Sequence, residues 1–90
     1  MSETVSKGAP MAVLENHVLY YRPTCPYCVK VLSALDSLGL SVQQRNVSAD
    51  QGAADDLLGA GGKLQVPCLV IDGKAMYESS DIIAYLRTQA

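Results

Sequence analysis

Cys25 and Cys28, separated by Pro26 and Tyr27, carry the most reactive chemistry in this chain. Two thiols at this spacing can close a disulfide and reopen it, and in such motifs sulfur pKa values run from about 3.5 to 7.5 instead of about 8.5. Pro26 suits the first position of a helix, so Cys25 falls at the helix N-terminus. There, unpaired backbone N–H groups and the positive end of the helix dipole favour thiolate over thiol. Arg22 adds a fixed positive charge three residues upstream. Cys28 lies nearly one turn further in, more buried, so Cys25 is expected to attack and Cys28 to resolve. Other uses of the pair fit less well. A zinc site needs about four ligands, and beyond the pair only Cys68 and His17 remain. Covalent haem attachment needs His after the second Cys, where this chain has Val29. A purely structural pair of buried thiols is the plain alternative, and Pro26 and Arg22 weigh against it.

The elements that must position these thiols are legible from periodicity. His17-Val18-Leu19-Tyr20-Tyr21 reads as a buried strand stopped by Pro23. Val29, Val31, Leu32, Leu35 and Leu38 give the apolar face of a helix over residues 26–38, ended by Gly39. Residues 40–47 alternate as a more exposed strand. Ser48-Ala49-Asp50-Gln51 has the form of a capping box opening a short Ala-rich helix, which ends in Gly59-Ala60-Gly61-Gly62. Two short strands over residues 67–72 and 74–78 flank Asp72-Gly73, a hairpin turn signal. Ser79-Ser80-Asp81 is expected to cap a last helix carrying Ile82, Ile83, Tyr85 and Leu86. The order is β-α-β-α-β-β-α, an α/β chain whose mixed sheet combines a right-handed parallel crossover with an antiparallel hairpin, helices on both faces. Residues 1–15, broken by Gly8 and Pro10, read as a loosely ordered lead-in to a domain over residues 16–90.

Composition excludes several function classes. The chain has 90 residues, 49% hydrophobic and 18% charged, with 7 basic against 9 acidic side chains. That is a globular profile, not a disordered one, and a typical domain of about 100–150 residues leaves no room for a second. No Lys/Arg run and no Trp or Phe is present, which argues against nucleic-acid binding. No apolar run approaches the roughly 20 residues of a membrane helix. Three cysteines, an odd count, fit a reducing compartment better than a secreted disulfide framework. The first ten residues lack a secretory pattern, so a cytoplasmic location is expected.

With these residues in view, the sequence resembles the glutaredoxins of the thioredoxin-fold superfamily over roughly residues 17–88. Tyr21-Arg22-Pro23-Thr24-Cys25-Pro26-Tyr27-Cys28 is similar to the dithiol glutaredoxin active site, whereas thioredoxins carry Gly-Pro between the cysteines. Val66-Pro67 matches the family's Thr-Val-Pro, whose proline is cis, with Gln65 in place of Thr. Where glutaredoxins have Gly-Gly, two small or polar residues and Asp, this chain has Tyr77-Glu78-Ser79-Ser80-Asp81. That stretch resembles instead the N-terminal domain of glutathione transferases, which use Glu-Ser for the γ-glutamyl group. Both families put glutathione here. The resemblance implies a four-stranded thioredoxin-like fold and glutathione contacts at Arg22, Tyr27, Val66, Pro67, Glu78, Ser79, Ser80 and Asp81.

Glutathione presents carboxylates, an ammonium and a thiol, so its site needs a helix N-terminus or cation for each carboxylate and an anion for the ammonium. Ser79 and Ser80 suit the γ-glutamyl carboxylate, Asp81 the ammonium and Arg22 the glycyl carboxylate. From the resemblance, the Val66 backbone pairs with the cysteinyl part as an added strand would. The bland readings stand beside these. Ser79, Ser80 and Asp81 make a good helix cap, Arg22 a solvated charge, Tyr27 an exposed ring and Pro67 a turn proline. His17 reads as a strand-edge residue, and Tyr20, Tyr21 and Tyr85 as packing. Cys68 reads as a packed thiol, with an alternative disulfide to Cys25 as the rarer option. The expected function is glutathione-dependent thiol-disulfide exchange on glutathionylated and disulfide-bonded proteins, by a monomer with glutathione as co-substrate and no metal. The alternatives are an iron-sulfur carrier using Cys25 with glutathione, and a transferase-like glutathione-binding module.

Overall fold

The first strand, β1 (Ala12–Tyr21), is buried on both sides where it matters, with Leu19 and Tyr20 facing opposite layers. The computed structural model describes residues 12–90. After β1 follow α1 (Pro26–Leu38), β2 (Leu40–Asn46), α2 (Gln51–Gly61), β3 (Cys68–Ile71), β4 (Lys74–Met76) and α3 (Ser79–Gln89). The four strands form one sheet in the order β2-β1-β3-β4. β1 is parallel to β2 and antiparallel to β3, and β3 is antiparallel to β4. This is the mixed α/β sheet expected from the element order, and the thioredoxin-like fold that the resemblance implies.

Side-chain alternation along the strands divides the interior in two. Leu19 pairs with Leu69 across β1 and β3, and both pack with Val31 and Leu35 of α1 and Ile82 and Leu86 of α3. One position on, Tyr20 pairs with Cys68 and packs with Ala53, Ala54 and Leu57 of α2. The sheet therefore carries α1 and α3 on one face and α2 on the other. Cys68, fully buried, belongs to the α2 side, whereas Cys28 lies on the α1 stripe with Val31 and Leu35. An alternative disulfide involving Cys68 is thus disfavoured by the fold itself.

Turn chemistry follows the sequence closely. Gly39 takes the left-handed conformation (φ 68°) that ends α1, and Asp72 and Gly73 both have positive φ, 49° and 84°, as a two-residue hairpin requires. The helix starts differ from expectation. The Ser48–Gln51 capping box does not form: the N-cap of α2 is Asp50, the Ser48 N–H donates to Asn46 Oδ1 at 2.9 Å, and Gln51 Nε2 donates to Asp55 Oδ1 at 3.2 Å. Asp50 instead turns to the Arg45 guanidinium at 3.3 Å, which also reaches Asp56 and lies over the Tyr20 ring. The N-cap of α3 is Glu78, one residue before the expected cap.

β1 also begins earlier than the apolar run indicates. Residues 12–15, expected in the lead-in, lie in the strand; residues 1–11 are outside the described residues. Their pairing is carried by backbone, the Ala12 N–H donating to Gly39 O at 2.9 Å, while Val13 stays exposed, so hydrophobic periodicity gives no signal. Between Val13 and Val18 the register slips against β2, with Asn16 in the left-handed region (φ 62°), a bulge. His17 is not at a sheet edge, since β1 is interior. Its Nδ1–H donates to Glu15 O, its Nε2 accepts from the Tyr85 hydroxyl at 2.6 Å, and the two rings stack.

The buried face through which α2 docks is Ala53, Ala54 and Leu57. Leu57→Ala is expected to cost about 2–5 kcal/mol as a cavity, read as a fall in the urea midpoint, while Leu58→Ala at the exposed neighbour stays within about 0.5 kcal/mol. Equal effects at both positions would refute this account of α2 docking.

Candidate active site

Pro26 at the first position of α1 makes Cys25 the N-cap, in extended conformation (φ −86°, ψ 121°). Pro has no N–H to offer, so the free donors of the first turn are those of Tyr27 and Cys28. The turn before the helix is closed by the Cys25 N–H donating to Arg22 O at 3.2 Å, and the helix by the Val29 N–H donating to Cys25 O at 3.0 Å. Cys25 is half-buried and Cys28 fully buried; all three sulfurs are free thiols.

The two thiols are driven apart electrostatically. Burial pushes the Cys25 pKa up, but the Cys28 amide, the Cys28 thiol, the Tyr27 amide and the Arg22 charge together outweigh it, so Cys25 sits below the ordinary thiol range. Cys28 goes the other way, to about 11, chiefly through burial and also through its hydrogen bond and charge interaction with Cys25. The Arg22 backbone N–H, 3.5 Å from Cys28 Sγ, opposes that rise only in part. One proton shared by two sulfurs thus stays on Cys28. Cys68, buried in the α2-side cluster, is raised to about 11 by burial.

Beside the helix start lies an open cleft of about 210 Å³, lined by Tyr27, Gln65, Val66, Pro67, Tyr77, Glu78 and Ser79. Three segments meet there: the first turn of α1, the stretch entering β3 through a cis Val66–Pro67 bond, and the start of α3. Five of the residues expected to contact glutathione line it: Tyr27, Val66, Pro67, Glu78 and Ser79. Arg22 is outside its lining and faces the thiol pair. Ser80 and Asp81 are also outside it, exposed in the same first turn of α3 as Ser79. Gln65 and Tyr77 line the cleft without having been expected to. For Tyr77 the available signal was its place directly before the Glu-Ser pair, where glutaredoxins have glycine. Among the described residues, no three His, Cys, Asp or Glu side chains gather as a metal cluster would require.

Residues 19–90 match the family described as glutathione S-transferase, N-terminal domain. Glutaredoxin 3 of Escherichia coli K12 is 27% identical over 71 residues, covering 79% of this chain and 86% of that protein. A probable glutaredoxin of Synechocystis sp. is 31% identical over 75 residues, covering 82% and 85%. Among solved structures, glutathione transferase Omega 3C from Trametes versicolor superposes with a TM-score of 0.70 at 28% identity, covering 84% of this chain and 34% of that one.

The electrostatic split makes a measurable statement. In the reduced protein, iodoacetamide should modify Cys25 with a pH inflection below the ordinary thiol value of about 8.5, leaving Cys28 and Cys68 unmodified at neutral pH. Cys28→Ala, which removes a thiol donor, and Arg22→Ala, which removes a charge, should each move that inflection upward. An inflection unmoved by both would leave the helix amides as its sole cause.

Proposed function

This chain belongs to the glutaredoxin-like proteins of the thioredoxin fold, with a domain of the glutathione transferase N-terminal type, and from that membership we propose that it is a glutathione-dependent thiol-disulfide oxidoreductase. The observation that carries this reading is a lowered-pKa thiol at a helix N-cap, next to a protonated partner thiol and beside an open cleft lined by Val66, Glu78 and Ser79. Its substrates are proteins carrying a glutathionyl group or a disulfide.

In the first half-reaction the Cys25 thiolate attacks the glutathionyl sulfur of a protein mixed disulfide. A bond forms between Cys25 and that sulfur as the substrate S–S bond breaks, and the electron pair leaves on the protein sulfur as thiolate. A glutathione thiolate then attacks the same glutathionyl sulfur, producing oxidised glutathione and restoring the Cys25 thiolate. For a protein disulfide, Cys25 attacks one of its sulfurs and the other leaves as thiolate; Cys28 then loses its proton and attacks Cys25, breaking that mixed disulfide, releasing the reduced protein and leaving a Cys25–Cys28 disulfide. Two glutathiones, oxidised to one disulfide, reduce it again. Glutaredoxin potentials of about −200 to −230 mV lie near the glutathione poise of reducing compartments, so the pool can recharge the pair.

The cleft together with groups outside its lining suits the glutathionyl group by charge. Amides at the start of α3, at Ser79 and Ser80, suit the γ-glutamyl carboxylate, and Glu78 and Asp81 suit its ammonium. Arg22 suits the glycyl carboxylate. Val66 offers backbone to the cysteinyl unit in the manner of an added strand. The match to the transferase domain favours the same ligand, since Glu78 and Ser79 both line the cleft.

The test is glutathione-coupled reduction of a glutathionylated peptide and of a protein disulfide. Cys25→Ser should abolish both. Cys28→Ser should abolish protein-disulfide reduction and leave peptide deglutathionylation. Activity retained in Cys25→Ser would remove Cys25 as nucleophile, and loss of deglutathionylation in Cys28→Ser would remove the single-thiol route.

A further inference from the structure

Two walls of the cleft come from segments remote in sequence: Gln65, Val66 and Pro67 on one side, Tyr77, Glu78 and Ser79 on the other. The first wall belongs to residues 62–67, which run between α2 and β3 without helix or strand. A stretch with no ladder of its own needs an external tether to hold its shape. The Tyr77 hydroxyl supplies one. It donates to Lys63 O at 3.0 Å and accepts from the Lys63 N–H at 3.3 Å, taking both polar groups of one residue. The Lys63 ammonium returns over the Tyr77 ring, 5.2 Å from its centroid. The phenol's single hydrogen is thus committed to Lys63 and not to a ligand; it ties one wall to the other.

The approach this requires is written into a third position. A Cβ at Gly61, the last residue of α2, would stand 1.9 Å from Tyr77 Oη and 2.7 Å from Cζ. Gly61 is helical, so its lack of a side chain serves close approach, not backbone conformation. Gly61, Lys63 and Tyr77 form a matched set.

We propose that Tyr77 is a positioning residue, a latch through Lys63 that sets the spacing between the two cleft walls and thereby the affinity for the glutathionyl group of the substrate. The inference rests on the function proposed above and adds to it the residue that holds the substrate cleft in register. It acts on binding and not on the thiol, because neither Lys63 nor Tyr77 is among the groups that shift Cys25.

Tyr77→Phe keeps the ring and deletes both hydrogen bonds. Steady-state kinetics with a glutathionylated peptide should show KM raised roughly 2- to 10-fold, the size of one or two ordinary hydrogen bonds, with kcat and the pH inflection of Cys25 alkylation unmoved. Amide exchange at Lys63 should quicken. Gly61→Ala, which leaves every cleft-lining residue type unchanged but whose Cβ must push the Tyr77 phenol off Lys63, should give the same KM-against-kcat split; should it fail to fold, Tyr77→Phe still decides. An unchanged KM in Tyr77→Phe overturns the latch, and so does a rise in KM accompanied by a shifted Cys25 inflection, which marks a general disturbance. A wild-type protein that does not turn the peptide over overturns the proposed function and the latch with it, a result distinct from either.

Discussion

The double burial of β1 is the constraint on which the rest depends. Leu19 and Tyr20 are neighbours in sequence, yet each must be covered by a different helical layer, one by α1 and α3 and the other by α2. A strand covered on both faces has its ends as its accessible backbone, and the C-terminal end of β1 leads directly into the turn that presents Cys25. The reactive sulfur thus stands just beyond the end of β1 that is covered by both helical layers. The general rule that ligands gather at the carboxyl ends of parallel strands has this origin here: β1 and β2 run parallel, and α1 starts where β1 stops.

Side-chain pattern made most of this legible. The apolar stripe and Gly39 delimit α1 to the residue, and Asp72-Gly73 predicts its hairpin correctly, because both signals are local and steric. The helix N-caps were less legible. At α2 a sequence that spells a capping box loses to a longer-range attraction, the Arg45 guanidinium drawing Asp50 to itself, and at α3 the helix starts on Glu78 with no side-chain cap at all. The early start of β1 was invisible for a different reason: residues 12–15 join largely through backbone pairing, with Leu14 alone packing on the core, too few apolar contacts for hydropathy to register.

The site divides along the same line. Cys25, Cys28 and the segments around Val66-Pro67 and Glu78-Ser79 were readable from spacing and resemblance, and the cleft draws on each of these segments except the thiols themselves. Tyr77 was not readable as a structural partner, since its role depends on Gly61 and Lys63, which lie in another element and reveal themselves only when the chain is folded. Electrostatics sharpened what spacing could only sketch. A shared hydrogen bond between unequal environments, one at a helix end and one inside the core, sends two chemically identical thiols in opposite directions.

The sheet between Cys68 and the α1 stripe has a kinetic meaning. In the proposed cycle, a substrate bound to Cys25 through sulfur has Cys28 as its intramolecular successor, while the third thiol sits behind a layer of paired backbone with its proton tightly held. The covalent intermediate therefore does not branch into scrambled disulfides. Its fate becomes a race between one internal thiol and the external thiol concentration, so the product ratio reports the redox state of the surroundings.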